Sequence, residues 1–223
     1  LQTFTYSVSH DLKAPLRGID GYSRLLLQDH AARLDEEGQR FLGHIRQATQ
    51  HMGTLIDDLL AYSRLERREL ALTRLDVAPA VTGVTGAFEA DLQARDATLT
   101  LDLPPGLAAR ADAQGFSMAL RNLVDNALKF ARPGVPPQVK VSARRVPGFI
   151  RVSVQDNGLG FDMKFHDRIF TIFQRLQRAE DYPGTGVGLA IVRKAMERMG
   201  GRVWGESHPG QGATFTLELP EAP

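Results

Sequence analysis

Apolar residues recur at helical spacing in the amino-terminal third of the chain. Between residues 36 and 68 they alternate in steps of four and three, a heptad pattern that predicts an amphipathic helix with a partner along its whole length. Asp35 precedes this pattern and is the expected N-cap. The spacing from Phe4 to Leu26 predicts a first helix, connected through residues 30–34. We therefore expect residues 1–68 to form a helical hairpin, whose second helix carries on its apolar face Phe41, Ile45, Ala48, Met52, Leu55, Leu59 and Tyr62.

The size of this hairpin bears on its assembly. Two helices alone bury too little apolar surface to be stable, whereas two hairpins side by side form a four-helix bundle. We therefore expect a homodimer through the hairpin.

The pattern changes from Leu75 onward, where short apolar runs alternate with helical stretches. Gly200 and Gly201 are expected to end the last helix and release the chain into a strand. Strand and helix do not alternate as regular βαβ units, so we expect a mixed sheet covered on one face by helices. The predicted strands are 98–103, 139–143, 149–155, 202–206 and 213–219, and the predicted helices lie near 79–94, 113–130 and 187–199. A linker at 69–74 then precedes a second domain at 75–221.

Composition narrows the class of protein. The 223 residues are 43% hydrophobic and carry a net charge of +1, with acidic and basic residues interspersed. No basic patch predicts nucleic-acid binding. The absence of cysteine excludes disulfides and thiolate metal sites. No apolar run approaches the roughly 20 residues that span a bilayer, so we expect no membrane contact by this chain and a cytoplasmic location.

His10 lies in the first predicted helix, within Ser9-His10-Asp11-Leu12-Lys13-Ala14-Pro15-Leu16. At roughly 100° per residue it lies about 200° around the helix from Val8, which predicts that it points to solvent. Asp11 could accept a hydrogen bond from one ring nitrogen and fix the tautomer that leaves the other nitrogen free to attack. Taken alone, the segment also fits an ordinary surface histidine. Pro15 should bend the helix one turn later.

Two asparagines lie one turn apart in the segment Asn122-Leu-Val-Asp-Asn126 and share a helix face. An amide oxygen is a hard, neutral ligand that suits Mg²⁺, an ion that commonly keeps waters and bridges phosphates. An asparagine pair that caps neighbouring backbone is the alternative interpretation.

Two glycine-rich segments follow. Asp156-Asn-Gly158-Leu-Gly160 comes at a strand end, where a carboxylate can accept the adenine amino proton and glycines allow close backbone approach. An Asp-Asn-Gly turn is also common in ordinary loops. Gly184-Thr-Gly186-Val-Gly188-Leu189 opens a helix and offers free N–H groups to a phosphate chain. It lacks the Lys-Ser/Thr of a P-loop and the preceding strand of a Rossmann fold. Residues 161–187 between the two segments form a long connection, of the kind that is usually either a functional lid or disordered.

The segment from Ser9 to Arg17 resembles the H-box of two-component sensor histidine kinases, and the later motifs match that family's nucleotide-binding boxes in the family's order. The resemblance covers essentially the whole chain. It implies an α+β multidomain fold, in which a dimeric four-helix bundle is followed by an α/β sandwich of the Bergerat type that binds ATP. It also implies that His10 is the phospho-acceptor and Asp11 its acid/base neighbour.

The resemblance assigns a role to each box. In the N-box, Asn126 would hold Mg²⁺ and Asn122 would lie beside the phosphates. Asp156 would read adenine in the G1 box, and Arg175 in the lid would reach the γ-phosphate. The resemblance also assigns Lys129, Phe130, Gly158 and Gly160 to the nucleotide-binding site. In the F-box, Phe170 and Phe173 would anchor the lid by packing. In the G2 box, the implied nucleotide-binding residues are Gly184, Thr185, Gly186, Val187, Gly188 and Leu189.

The chain departs from the family pattern at Ala14. Many members with phosphatase activity carry Thr or Asn at that position, so the resemblance leaves phosphatase chemistry in doubt. The Phe-Gln-Arg-Leu and Lys-Ala-Pro-Leu-Arg variants look most like the soluble, phytochrome-related branch. The histidines His30, His44, His51, His166 and His208 show no metal-ligand spacing, and we expect no chemistry from them.

Together these features predict an ATP-dependent, Mg²⁺-requiring histidine autokinase that passes its phosphoryl group to an aspartate of a response regulator. One alternative is a gyrase- or chaperone-type ATPase, which explains the boxes but not the hairpin with its His-Asp pair. A second alternative is a non-catalytic regulator that binds ATP, dimerises and docks a response regulator.

Overall fold

The computed structural model describes residues 2–174, 176, 182 and 184–223, with side chains from Asp11 onward. The chain divides into two compact units, Leu1–Arg64 and Leu65–Pro223. The first is a helical hairpin and the second combines helices with a mixed sheet, so the predicted α+β fold class is confirmed.

The hairpin consists of helix α1 (Gln2–Asp29), a short 3₁₀ turn (Ala31–Arg33) and helix α2 (Glu36–Arg67). The predicted N-cap of α2 is confirmed, because the Gly38 N–H donates to Asp35 Oδ1 at 2.8 Å. Helix α1 continues through Pro15 for 28 residues. A proline within a helix removes one backbone hydrogen bond without having to end the helix.

The hairpin leaves much of its apolar surface uncovered. Its buried residues include Ser23, Thr49 and Ile56, and Arg46 Nε pairs with Asp20 Oδ1 at 3.1 Å. The predicted apolar face of α2 is half exposed, and Phe41 is 51% exposed. The exposed apolar residues of both helices form a seam that consists of Phe41, Ile45, Met52 and Leu59 on α2 and Leu12, Ile19 and Leu26 on α1. Within a single chain this seam has no cover, which is the pattern of an interface between helices of different chains.

The second unit is built around a five-stranded sheet of order β2-β4-β5-β7-β6. Strands β2 and β4 are parallel and the other neighbours are antiparallel, so the predicted mixed sheet is confirmed. In chain order its elements are β1 (Thr73–Asp76), α3 (Val77–Gly86), α4 (Glu89–Ala94), β2 (Thr98–Asp102), β3 (Ala108–Ala111), α5 (Ala113–Lys129), β4 (Gln138–Val146), β5 (Phe149–Asp156), a 3₁₀ turn (Met163–Phe165), α6 (His166–Ile169), α7 (Gly188–Arg198), β6 (Arg202–Ser207) and β7 (Ala213–Pro220).

Two sequence expectations for this unit were wrong. The single helix expected at 79–94 is divided into α3 and α4, because the chain turns at Ala87 and places the Phe88 side chain in the core. Strands β1 and β3 were not predicted. Each has four residues, and they pair with each other across more than thirty positions, with Leu75 opposite Ala109. An apolar alternation over four residues is too short to predict a strand from the sequence, and the strand is recognised only when it is seen paired with its partner.

Helices α5 and α7 pack side by side on one face of the sheet. The strand residues on that face alternate with polar ones, as the period of two requires. The buried inner face is made by Val139, Val141, Ala143, Ile150, Val152, Val154, Phe215, Leu217 and Leu219. On the opposite face Ser153 and Thr216 share a hydrogen bond of 2.9 Å, and the buried Glu218 pairs with Arg151 and Arg202 at 2.6 Å each. The core therefore lies between the sheet and α5 and α7, and it holds these two helices rigidly.

The amino-terminal end of α5 is fixed by Asp112. Its Oδ1 accepts the Gly115 N–H at 2.7 Å, its Oδ2 accepts the Ala71 N–H at 3.1 Å, and the Arg68 guanidinium pairs with the same carboxylate. Burial alone would raise the pKa of Asp112, but the two backbone donors and the Arg68 charge together hold it below its ordinary value.

We expect Asp112→Ala to lower the free energy of unfolding of the second unit by about 1–3 kcal/mol at neutral pH, because the helix cap and the partner of Arg68 are lost together. A carboxyl with a lowered folded-state pKa stabilises the fold above its unfolded-state pKa, and this contribution disappears as pH falls through the folded-state value. The difference from the wild type should therefore shrink below about pH 4. Urea unfolding followed by the fluorescence of Trp204, the single tryptophan of the chain, measures this unit. The exposed Asp91→Asn is the control, and a difference that persists unchanged at low pH would contradict the assignment.

Candidate functional site

The polar face of α5 carries the two asparagines singled out in the sequence. Both side chains are half-buried, while the opposite face of the helix packs into the core. Asn122 Nδ2 donates to the Met118 carbonyl at 2.9 Å, which leaves its Oδ1 directed at the start of α7. A Cβ added to Gly188 would lie 2.8 Å from that Oδ1. Within the described part of the chain, the Asn126 side chain makes no hydrogen bond to protein, so its amide oxygen is available to a ligand.

The G2 segment meets the same helix at a second point. Gly184 lies against the ammonium end of Lys129, where a Cβ would overlap Nζ, and its φ of 154° also disfavours a side chain. Thr185 and Val187 are buried, and helix α7 begins at Gly188. The N-box face of α5 and the amino-terminal end of α7 therefore converge, which brings two amides, one ammonium group and free helix N–H groups to one place.

Asp156 lies at the end of β5, on the neighbouring side of this convergence. One carboxylate oxygen, Oδ1, accepts the N–H groups of Gly158 at 2.8 Å and Ala213 at 3.2 Å. Among the described residues Oδ2 accepts no hydrogen bond, and it can accept one from a ligand. Burial raises the pKa of Asp156, and the two backbone donors offset part of this effect.

Phe130 connects the N-box to the G1 segment. Its carbonyl accepts the Leu159 N–H at 2.9 Å, and its ring lies 5.8 Å from the ring of Tyr182 and 4.8 Å from Lys129 Nζ. Phe130 therefore packs beside the G1 segment, and its predicted place near a nucleotide stays a prediction. Tyr182 was not predicted, because a single aromatic residue in a long connection has no periodicity to distinguish it.

The two phenylalanines of the F-box have different environments. Phe170 is 5% exposed and packs against Phe215 with ring centres 6.2 Å apart. Phe173 is 54% exposed and has a φ of +64°, so the expectation that it anchors the lid by packing was wrong. Its backbone makes the contact instead, since the Phe173 N–H donates to the Gly186 carbonyl at 2.9 Å. Arg175 lies outside the described residues.

His10 and Asp11 belong to helix α1 of the first unit. The side chain of His10 lies outside those that the structure describes, so its predicted exposure stays a prediction. Asp11 is exposed.

Two further residues contribute to the second unit without having been predicted. Arg132 donates from Nε to the Asn157 carbonyl at 2.9 Å and from Nη1 to the Gly210 carbonyl at 3.1 Å, and so ties the end of the N-box to both neighbouring glycine turns. His166, for which no role was expected, accepts the Gly205 N–H at Nε2 over 3.2 Å. Both contacts join residues far apart in the chain, and no local sequence signal reports them.

The donor groups around Asn126 suit Mg²⁺. The described residues contain no group of three His, Cys, Asp or Glu side chains that could enclose a metal ion. Mg²⁺ commonly keeps several waters and takes one or two protein oxygens plus substrate phosphates. A single amide oxygen at Asn126, close to the amino-terminal end of α7, fits that mode of binding.

The recognition of adenine by Asp156 can be tested through its pH dependence. Asp156→Asn should weaken the binding of a non-hydrolysable ATP analogue by about 10–100-fold, because an amide cannot satisfy two N–H donors and adenine as a carboxylate does. The ionised form is the acceptor, so wild-type affinity should fall as pH falls through the raised pKa, while the variant should not show this step. Titration calorimetry from neutral pH downward measures both. Asp102→Asn, at the far edge of the sheet, is the control. Equal pH dependence in Asp156→Asn and the wild type would reject the assignment.

None of the described helices is both long and apolar enough to cross a membrane.

Comparison with known protein families divides the chain into two matched regions. Residues 1–68 match the model of the His Kinase A phospho-acceptor domain. Residues 111–223, just over half of the chain, match the model of the histidine kinase-, DNA gyrase B- and HSP90-like ATPases.

Individual relatives give the same result. Cyanobacterial phytochrome A of Nostoc sp. is 38% identical over 220 residues, which cover 99% of this chain and 28% of the phytochrome. Phytochrome-like protein Cph1 of Synechocystis sp. is 36% identical over 220 residues, covering 99% of this chain and 29% of Cph1. The chain thus spans less than a third of the length of these relatives. Full-length ShkA, solved in complex with AMPPNP, has a TM-score of 0.74 and 29% identity, covering 100% of this chain and 46% of ShkA.

Proposed function

The chain belongs to the sensor histidine kinases of two-component systems and is related to the phytochromes among them, and from this premise we propose that it phosphorylates its own His10 with ATP and passes the phosphoryl group to an aspartate of a response regulator. The observation that carries the proposal is the convergence of Asn122 and Lys129 of α5 on the glycines that open α7, with Asp156 beside them. ShkA, a structural relative over the whole chain, was solved with an ATP analogue.

In this proposal the nucleotide binds where the N-box face of α5 and the G2 segment converge. Asp156 accepts the adenine amino group through Oδ2, and the backbone of Gly158 and Gly160 allows the base to approach. Lys129 and the free N–H groups at the start of α7 hold the phosphates, since a helix amino-terminus attracts anions. Asn122 fixes the turn at Gly188, and Thr185, Val187 and Leu189 shape the same loop.

Asn126 would hold Mg²⁺ through its amide oxygen. When bound, the ion neutralises charge on the β- and γ-phosphate oxygens during transfer. The task of Asn126 is to present one oxygen at a fixed position, which a side chain on a packed helix does well.

At His10, one ring nitrogen carries a proton and the other attacks the γ-phosphorus. Asp11 favours the tautomer in which the attacking nitrogen is unprotonated and stabilises the positive charge that develops on the ring. The new N–P bond forms as the bond from phosphorus to the β–γ bridging oxygen breaks, so ADP leaves with that electron pair. Arg175 and the F-box segment with Phe170 and Phe173 would close over the γ-phosphate. Placement and charge neutralisation supply most of the rate enhancement in such a transfer.

We further propose that two chains associate through the hairpin. The support is the uncovered apolar seam of α1 and α2 and the match to the phospho-acceptor domain model. Sedimentation equilibrium should give twice the chain mass of 24.5 kDa, and a monomer at micromolar concentration would reject this part. The proposed functional boundaries are 1–68 for the phosphotransfer hairpin, 69–74 for the linker and 75–221 for the ATP-binding domain. The proposed location is the cytoplasm, where ATP is available.

Measuring nucleotide affinity and self-labelling on the same sample tests the function. A histidine kinase incubated with γ-labelled ATP and Mg²⁺ acquires an acid-labile, alkali-stable label without releasing free phosphate in proportion. A gyrase- or chaperone-type ATPase would release phosphate and stay unlabelled, and a non-catalytic regulator would bind ATP and do neither. Either of those outcomes would overturn the proposal.

A further inference from the structure

An imidazole occupies the free edge of the sheet. Strand β6 is the last strand of the sheet, and an edge strand presents backbone N–H groups that have no partner strand. The Gly205 N–H of this edge donates to Nε2 of His166, the first residue of α6, at 3.2 Å. The contact therefore joins the segment that follows the G1 box to the edge of the sheet.

Both ring nitrogens of His166 make a hydrogen bond. Because Nε2 accepts one from Gly205, the tautomer with its proton on Nδ1 fits the contacts. Nδ1 is 3.0 Å from Asp167 Oδ1, which accepts that proton's hydrogen bond. The ring thus bridges a carboxylate and a backbone N–H.

An aromatic cluster extends from the same ring. The His166 ring meets Phe170 edge-on at 5.5 Å, Phe170 meets Phe215 at 6.2 Å, and Phe215 stacks with Phe161 at 5.8 Å. The cluster closes over Gly205, where an added Cβ would lie 2.8 Å from the Phe215 ring. Residues 161–170 are therefore clamped to β6 and β7 at two points, one polar and one aromatic.

This clamp lies close in sequence to the phosphate-binding loop. Three residues after Phe170, the Phe173 N–H donates to the Gly186 carbonyl at 2.9 Å. Gly186 is the central glycine of the G2 segment and precedes the first turn of α7 by two residues. The path from His166 to Gly186 is thus short, and each step is a described contact or a covalent link.

We propose that His166 is a positioning residue for the phosphate-binding loop, a role that rests on the proposed function: its ring pins residues 161–170 to β6 through the hydrogen bond from Gly205. Loss of this hydrogen bond then weakens ATP binding through the position of Gly186 and does not alter the reacting groups.

The charged groups around the His166 ring make other contacts than the hydrogen bond to Gly205. Asp167 is the carboxylate that contacts the ring, and Arg168 of the same helix turns to Gln174 and the Phe165 ring. On β6, Glu206 follows Gly205 and accepts the indole N–H of Trp204 at 3.4 Å. The clamp residues that β7 and α6 contribute, Phe215 and Phe170, are uncharged.

Two substitutions separate the hydrogen bond from the packing. His166→Gln keeps an acceptor at the end of a side chain of similar reach and removes the ring, whereas His166→Leu keeps apolar bulk and removes the acceptor. His44→Gln, an exposed position on the hairpin, is the matched control.

The direct readout is the amide-exchange protection factor of Gly205 in the nucleotide-free protein, which does not depend on ATP chemistry. We expect His166→Leu to lower protection about five-fold at neutral pH, as the loss of one hydrogen bond predicts. His166→Gln, which keeps an acceptor, should retain protection close to that of the wild type. The KM for ATP in autophosphorylation should rise with the loss of protection, at unchanged kcat.

Each outcome decides the inference. Protection that is equal in His166→Leu and the wild type would overturn it. A KM that stays constant while protection falls would also overturn it, because the clamp would then not position the loop. Failure of the wild type to label itself would instead reject the proposed function and leave the protection data intact.

Discussion

His10→Gln should abolish self-labelling from γ-labelled ATP completely, whereas nucleotide affinity should stay within about two-fold of the wild type. Glutamine has no nitrogen lone pair that can attack phosphorus at neutral pH, since its amide nitrogen is conjugated with the carbonyl. The proposed ATP-binding residues lie in the second compact unit and the substitution lies in the first. The loss should therefore fall on chemistry and spare binding. Acid and alkali treatment of the labelled protein, combined with titration calorimetry of an ATP analogue, measures both quantities.

His44→Gln supplies the matched control for this experiment. It introduces the same change at an exposed position of α2, and it should label at the wild-type rate. An acid-labile, alkali-stable label that persists in His10→Gln would show that the nucleophile is elsewhere. Loss of nucleotide affinity in the same variant would show that the substitution disturbs the fold, and an α1 variant that preserves affinity would then be needed to assign the nucleophile.

Asn126→Ala should reduce the rate of autophosphorylation about 100-fold or more, because a metal that bridges the phosphates contributes several kcal/mol to stabilising the transferred charge. The residue is half-buried on the polar side of α5 and its amide makes no hydrogen bond to the described protein, so alanine should not destabilise the helix. The specific expectation is that ATP affinity rises with Mg²⁺ in the wild type and hardly changes with Mg²⁺ in the variant. Titrations with Mg²⁺ and with EDTA measure this difference.

Gln93→Ala, which removes an exposed amide from α4, is the control for a general effect of amide loss. It should retain both the rate and the metal dependence of the wild type. If Asn126→Ala retained the full effect of Mg²⁺ on ATP affinity, a different oxygen would hold the ion. If Asn126→Ala lost thermal stability, the lost rate would reflect the helix and not the metal.

Local patterns in the sequence predicted the elements that are stabilised within themselves. Helix α2 begins where Asp35 caps it. Helix α7 ends at Arg198, and Gly200, with a φ of 73°, follows it as the glycine after a helix end. Strands β4, β5 and β7 are long enough for their alternation to be recognised. In contrast, β1 and β3 are visible only as a pair, and the division between α3 and α4 depends on the burial of Phe88.

The candidate site shows the same division. Spacing placed Asn122 and Asn126 on one face of a helix and Asp156 at a strand end, and the structure has them there. Spacing could not show that Asn122 faces Gly188, that Phe173 uses its backbone and exposes its ring, or that His166 accepts a hydrogen bond from Gly205. Each of these contacts joins segments that are adjacent only after the sheet has formed.

By itself, the amino-acid sequence determined the class of this protein, the order of its functional segments, and the helices and longer strands that carry them, because caps, periodicity and glycine turns act over a few residues. Only the tertiary structure decided which atoms meet. The packing of α5 and α7 on one sheet brings Lys129 to Gly184 and the sheet edge to His166, because contacts between distant residues are selected by burial and shape, and a linear pattern does not record either.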